Sequence, residues 1–288
     1  MEIWHHVGLG KVDNIDAELD SLQINYKRTP PDREAFNYVI TFDILETDSR
    51  WPQIDAIVRS KHAVNLVYTT FTEDEIRAAE WSRIEPSFEQ GYPQPEGTWV
   101  ATQHNYRSFC RKCGADFVQV TPFRISKEPS MKRFDFMSLY WTHALFATPH
   151  VVELFESAGV RGYEVWDVLI NKTRSPAQAI KQVFIPSITA QGLLDSDRLS
   201  PIVCPQCGLT KYNYHKRGYM PYRCDALPAD IDIIQSYEWF GSGADAFREI
   251  FVSSKVARLI LDHKLRGADL LPMALSQVET KMMHPPVL

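Results

Sequence analysis

Four of the chain's five cysteines form two Cys-x-x-Cys-Gly knuckles, Cys110 and Cys113 followed by Gly114, and Cys204 and Cys207 followed by Gly208. A two-residue spacer turns the chain so that both thiolates face one point, and glycine permits the tight turn that follows, with backbone amides near sulfur. One knuckle supplies two soft ligands, whereas a closed structural zinc site takes four in a tetrahedron at about 2.3 Å. The pattern therefore predicts that Cys110, Cys113, Cys204 and Cys207 together hold one structural Zn2+, with residues 110 and 204 close in space. Four thiolates leave such an ion no open position from which to activate water or polarise a substrate.

The knuckles are far apart in sequence, with 90 residues between Cys113 and Cys204. A compact zinc ribbon has about 15 to 20. Loop-closure cost grows only logarithmically with length, so a folded insertion is thermodynamically acceptable. A redox dithiol would be expected to open a helix behind a strand. Both knuckles instead run into β-like sequence, Phe117 to Thr121 and Leu209 to Tyr212. Cys224, His104 and His215 are alternative ligands by type, but a site filled by four thiolates has no place for them.

The elements that must position these knuckles can be read from periodicity and turn signals. Tyr38 to Asp43 reads as a strand, Trp51 to Lys61 as a short helix with Pro52 in its first turn, and Val64 to Tyr68 as a second strand, giving a β-α-β outline. Thr72 and Glu75 have the spacing of a capping box, opening a helix that runs to about Trp81. Gly91 to Gly97 contains two prolines and breaks regular structure. A domain boundary is placed there, with an acidic α+β region over 1–98 and a zinc-binding region over 99–288.

The second region repeats itself. Residues 145–162 align without gaps with 250–267, an offset of 105, with Phe146/Phe251, Val151/Val256, Leu154/Leu259, Arg161/Arg266 and Gly162/Gly267 identical. Each copy predicts the same local structure. Thr148 or Ser253 caps a helix with one apolar face, then Gly162 or Gly267 turns the chain into a strand, Tyr163 to Leu169 or Ala268 to Ala274. A knuckle precedes each copy, so two related units are expected at about 99–190 and 200–280. The fold class expected is α+β: a β-α-β-containing N-terminal region, then a duplicated knuckle-helix-strand region joined by a zinc-ribbon-like four-cysteine site.

Composition bounds the rest. With 288 residues, 44% hydrophobic and 12% aromatic, the chain can fill a core. No stretch reaches the roughly 18 to 20 apolar residues that span a bilayer, and paired cysteines without secretory context suit a reducing compartment, so a cytoplasmic protein with no membrane partner is expected. Residues 1–100 carry 18 acidic against 9 basic side chains, while 101–133 carry 7 basic and 2 acidic. The acidic front suits a basic partner.

The two Cys-x-x-Cys-Gly motifs, with the Phe146 and Phe251 helix units and the Arg-Gly turns after them, resemble the double-CXXCG motif immunity proteins of bacterial toxin systems. The resemblance covers roughly residues 100–275 and carries over Cys110, Cys113, Gly114, Cys204, Cys207 and Gly208. It implies a cytoplasmic protein that binds and neutralises a cognate toxin and has no chemistry of its own. A different reading makes the chain a zinc-ribbon nucleic-acid-binding protein, because residues 211–223 interleave cations for phosphates with tyrosines that could stack on bases. The same segment also reads as a hairpin arm whose tyrosines pack on the core. An enzyme is not expected, since the common phosphate-loop, zinc-protease and hydrolase motifs are absent and His5, His6, Asp43, Glu46 and Asp48 do not assemble into a site on sequence grounds.

Overall fold

The computed structural model describes residues 1–10, 15–29, 38–95, 105–107, 109–194 and 196–277. The architecture is α+β: among the described residues helices are few and short, and most regular structure lies in four sheets. The chain forms two compact units, one of Met1–Thr72 with Lys216–Gly218 and one of Glu73–His215 with Tyr219–Leu288. The division thus falls at residues 72 and 73. Residues 96–104, which hold the expected boundary at 98, lie outside the described residues, as do His104 and Gly97.

The first unit runs β1 (Glu2–Gly10), α1 (Ile15–Ser21), β2 (Lys27–Thr29), β3 (Val39–Leu45), α2 (Trp51–Ser60) and β4 (Val64–Thr70). The expected strand, helix and strand are all present, but β3 and β4 do not pair. Strand β1 lies between them, antiparallel to both, in the sheet order β2-β3-β1-β4. This is the split β-α-β topology of ferredoxin-like folds. Alternation decides which face is covered: Val7, Leu9, Ile40, Phe42 and Ile44 point inward and pack with Ile15, Leu19, Ile54 and Val58 of the two helices. Val64, Leu66 and Tyr68 on the other face are exposed.

The second unit opens with α3 (Glu73–Ala78), which ends before Trp81, because Trp81 begins a strand, β5 (Trp81–Pro86). It continues through β6 (Arg124–Ile125), β7 (Phe136–Met137), β8 (Leu145–Ala147), α4 (Pro149–Ser157), β9 (Glu164–Ile170) and β10 (Pro176–Phe184). After the second knuckle's hairpin, β11 (Ile202–Val203) and β12 (Thr210–Tyr212), come β13 (Met220–Arg223), β14 (Ile233–Gln235), β15 (Trp239–Phe240), β16 (Ile250–Ser253), α5 (Ser254–Asp262) and β17 (Ala268–Ser276).

Two five-stranded sheets, β6-β9-β10-β8-β7 and β13-β17-β5-β16-β14, have matching pairings. Phe146 faces Met137 in one sheet as Phe251 faces Ile234 in the other. Leu169 lies beside Arg124 in parallel as Ala274 lies beside Pro221. The central strands differ in origin. In the first sheet it is β10, which follows β9 directly, whereas in the second it is β5, drawn from ahead of the first knuckle. That pairing ties residues 81–86 to the second unit.

Helices α4 and α5 bury Val151 and Phe155, and Val256 and Ile260, in one core shared by both sheets. Thr148 and Ser253 occupy the N-cap positions with the extended backbone of a cap, φ −67° in both, but neither side chain caps its helix. Ser253 donates instead to Asp232 Oδ1 at 2.9 Å. The two Arg-Gly turns are exchanged between the halves. Arg161 O accepts from the amides of Asp232 and Ile233, while Arg266 O accepts from those of Asp135 and Phe136. The carboxylates reciprocate, since Arg161 N donates to Asp232 and Arg266 N to Asp135, at 3.0 and 2.9 Å. Contact of i with j matched by contact of j′ with i′ is the pattern of an isologous two-fold interface, here within one chain. Among the described residues no helix is long and apolar enough to cross a membrane.

Candidate metal centre

Both knuckles fold by the same local hydrogen bonds. Gly114 N donates to Cys110 O at 2.7 Å and Cys110 N to Ala115 O at 2.8 Å; Gly208 N donates to Cys204 O and Cys204 N to Leu209 O, each at 2.9 Å. The glycines sit at φ 80° and 75°, in the left-handed region where a side chain is strained. These turns aim all four thiols at one point.

The two knuckles meet equivalent to equivalent. Cys110 Sγ is 3.8 Å from Cys204 Sγ, and Cys113 Sγ is 3.6 Å from Cys207 Sγ. All four sulfurs lie within 4.8 Å of one another. A tetrahedron with metal–sulfur bonds of about 2.3 Å has sulfur–sulfur edges of about 3.8 Å, so the spacing fits a metal ion. Cys110, Cys113 and Cys204 are buried among Ala115, Trp239 and Ala246, while Cys207 reaches the surface.

The thiols by themselves are electrostatically mismatched. Backbone amides of Cys207 and Gln206 pull Cys204 down to about 6, whereas burial, reinforced by the neighbouring sulfurs, pushes Cys113 up to about 12. Four thiolates packed this closely repel one another, and a bound dication removes that penalty by binding the deprotonated forms. Among the described residues this is the one cluster of three or more Cys, His, Asp or Glu ligand atoms of this kind. Cys224 and His215 lie outside it.

Residue type and spacing gave no sign of the part played by Lys211. It is only 3% exposed, and its ammonium donates to Cys113 O, Gly243 O and Asp245 O at 2.7, 2.9 and 2.6 Å. All three donors are used, so the side chain staples the loop 243–245 to the first knuckle, and it places a positive charge beside a cluster that becomes a dianion around a divalent metal. Burial pulls its pKa down, while the Cys113 thiol and Asp245 oppose that shift. Lys211→Met is expected to cost about 2 to 3 kcal/mol in urea denaturation, because it orphans buried carbonyls, while metal content stays at one ion per chain.

Of the other residues of segment 211–223 the tyrosines at 212, 214 and 222 face inward, whereas Asn213, Lys216 and Arg217 are exposed. Tyr222 is fully buried, Tyr212 and Tyr214 pack on the same core, and Arg223 is paired with Asp225. The histidine and carboxylate candidates of the first unit do come together, as structural pairs. His5, buried on a central strand, stacks on Trp51 at 3.6 Å and meets Glu46 at 3.2 Å; His6 meets Asp43 at 2.9 Å. Asp48 holds Arg50 at 2.6 Å.

No protein-family model matches the chain, and no curated protein matches it.

Proposed function

We propose that this chain is a bacterial immunity protein that acts in the cytoplasm by binding and neutralising a cognate toxin, on a scaffold fixed by one structural zinc ion held by Cys110, Cys113, Cys204 and Cys207. The four-sulfur cluster carries the reading. Its donor set suits zinc, and two knuckles separated by a folded segment make a clamp between two halves of a protein in place of a reactive centre. A toxin-binding protein needs a rigid, complementary surface more than it needs catalytic groups.

A rigid aromatic surface supports the same reading. Trp141, 55% exposed, packs its ring 4.7 Å from Tyr92, which lies 5.0 Å from Tyr140, and both tyrosines are also exposed. Trp141 belongs to the buried set by residue type, yet it stands outward with φ 63°, an uncommon conformation for a non-glycine residue. Its loop is pinned by Ser138 Oγ, which lies 3.1 Å from both Thr142 O and Ala144 O, within hydrogen-bond reach of either. Exposed, pre-ordered tryptophan and tyrosine are the residues most often found at binding hot spots. The nucleic-acid reading has less support, because the tyrosines it would use for stacking pack against the core.

The test is co-expression with the secreted toxins encoded beside the gene, together with binding by the purified pair. Protection and a complex are expected; no protection and no complex with any of them would refute the proposal. Within that complex, Trp141→Ala is expected to weaken binding by about 30-fold while changing stability by about 0.5 kcal/mol or less.

A further inference from the structure

A cavity of about 200 Å3 in the second unit is walled by rings that their neighbours already hold in place. Phe117 packs 4.6 Å from Tyr106 and 5.0 Å from Trp239, Phe184 stacks on Trp166 at 4.0 Å, and Phe247 stacks on His143 at 4.0 Å. Walls of this kind are formed before a ligand arrives, so ordering them costs binding little. Gln119 and Gln182 also line the cavity and satisfy each other, each amide nitrogen donating to the other's carbonyl oxygen, at 2.9 and 2.7 Å. The space is smaller than the roughly 300 to 1,000 Å3 of drug-sized pockets and takes a single ring with a short chain.

Two polar groups on the lining keep unused hydrogen-bonding capacity. The Tyr106 hydroxyl makes no hydrogen bond among the described residues, and burial alone pushes its pKa up. Arg248 is held by uncharged partners: Nη1 donates to Ser236 O at 2.8 Å and to Tyr237 O, and the guanidinium lies over the Trp239 ring at 4.2 Å. It pairs with no carboxylate among the described residues. Glu238, the carboxylate that acts on it most, has its oxygens taken by the amides of Gly192 and Leu193 and by the Tyr222 hydroxyl, at 2.8, 2.9 and 2.9 Å. Burial outweighs that attraction and pulls the Arg248 pKa down, so the guanidinium is short of negative charge. A fixed guanidinium with donors to spare, beside an apolar cavity, suits a carboxylate, which its fork meets with charge-assisted hydrogen bonds.

We propose that this cavity is a binding site for a small aromatic acid, with the carboxylate on Arg248, the ring between Phe117, Phe184 and Phe247, and a polar contact to the Tyr106 hydroxyl. A free arylalkanoic acid presents this chemistry, and so does a polypeptide that ends in an aromatic residue. The proposal does not depend on toxin binding.

Calorimetric titration of the full-length, metal-loaded chain with hydroxyphenylpropionate, its neutral amide and acetyl-Gly-Tyr tests it. One-to-one binding of a carboxylate at submillimolar concentration is expected, with the amide weaker by about tenfold or more. Tighter binding of acetyl-Gly-Tyr would assign the site to a polypeptide end, and tighter binding of hydroxyphenylpropionate to a free acid. Arg248→Gln is expected to weaken binding about 30-fold, although it also releases Ser236 O and Tyr237 O. Tyr106→Phe removes a hydroxyl that bonds nothing among the described residues, so it should keep the melting temperature and metal content and weaken binding about fivefold. No binding of either acid, equal binding of the amide, or unchanged affinity in Tyr106→Phe would overturn the proposal.

Discussion

Cys207→Ser is expected to abolish metal binding at stoichiometric concentration and to lower the melting temperature by about 10 °C or more. A three-thiolate site loses most of its affinity, and in a closed structural site binding free energy is folding free energy, so the cost is on the order of 4 to 5 kcal/mol. The loss should be cooperative across the second unit, because the cluster is where the two knuckles, 94 residues apart in sequence, meet. Cys224→Ser supplies the control: Cys224 is a half-buried thiol outside the cluster, and its replacement should cost about 1 kcal/mol or less. Calorimetry with parallel metal analysis checks both. A Cys207→Ser protein with the parent's metal content and melting temperature would contradict the clamp.

Gly162→Ala and Gly267→Ala should each destabilise by on the order of 3 kcal/mol, read as a fall in the urea midpoint. Two penalties add. The glycines sit at φ 104° and 95°, where an L side chain is strained by about 1 to 2 kcal/mol. An added Cβ would also stand 2.1 Å from Ile233 O or 2.2 Å from Phe136 O, atoms of the opposite half that cannot move without opening the exchanged turns. Gly208 separates the two terms: it has φ 75° but nothing within 4 Å of an added Cβ, so Gly208→Ala should show the strain alone, about 1 to 2 kcal/mol. Equal losses at Gly162 and Gly208 would mean that the turn-to-strand contact contributes nothing.

Local and repeated signals were the legible part of the sequence. The knuckles declared their chemistry by residue type and spacing, and the offset of 105 located helices α4 and α5 and the strands after them to within about two residues. Helix α2 was readable from Pro52 and its apolar spacing, because a helix is written in adjacent residues.

What stayed hidden depends on contacts distant in the chain. Nothing near Trp81 to Pro86 says that these residues are the central strand between β16 and β17, since short apolar runs are ambiguous between helix and strand and their partners lie more than 160 residues away. The β-α-β outline likewise omitted β1, which is inserted between β3 and β4. Trp141 and Lys211 both run against residue type, which favours burial for tryptophan and solvent for lysine: Trp141 is 55% exposed and Lys211 3%. In each case a tertiary contact decides: hydrogen bonds that pin the 138–144 loop outward, and three buried carbonyls that hold the ammonium.

The clamp is tested most directly by elemental analysis of natively purified protein combined with X-ray absorption at the metal edge. One zinc per chain with four sulfur neighbours at about 2.3 Å and no nitrogen or oxygen neighbour is the expected result. Metal-free native protein, or a first shell with fewer than four sulfurs, would contradict it.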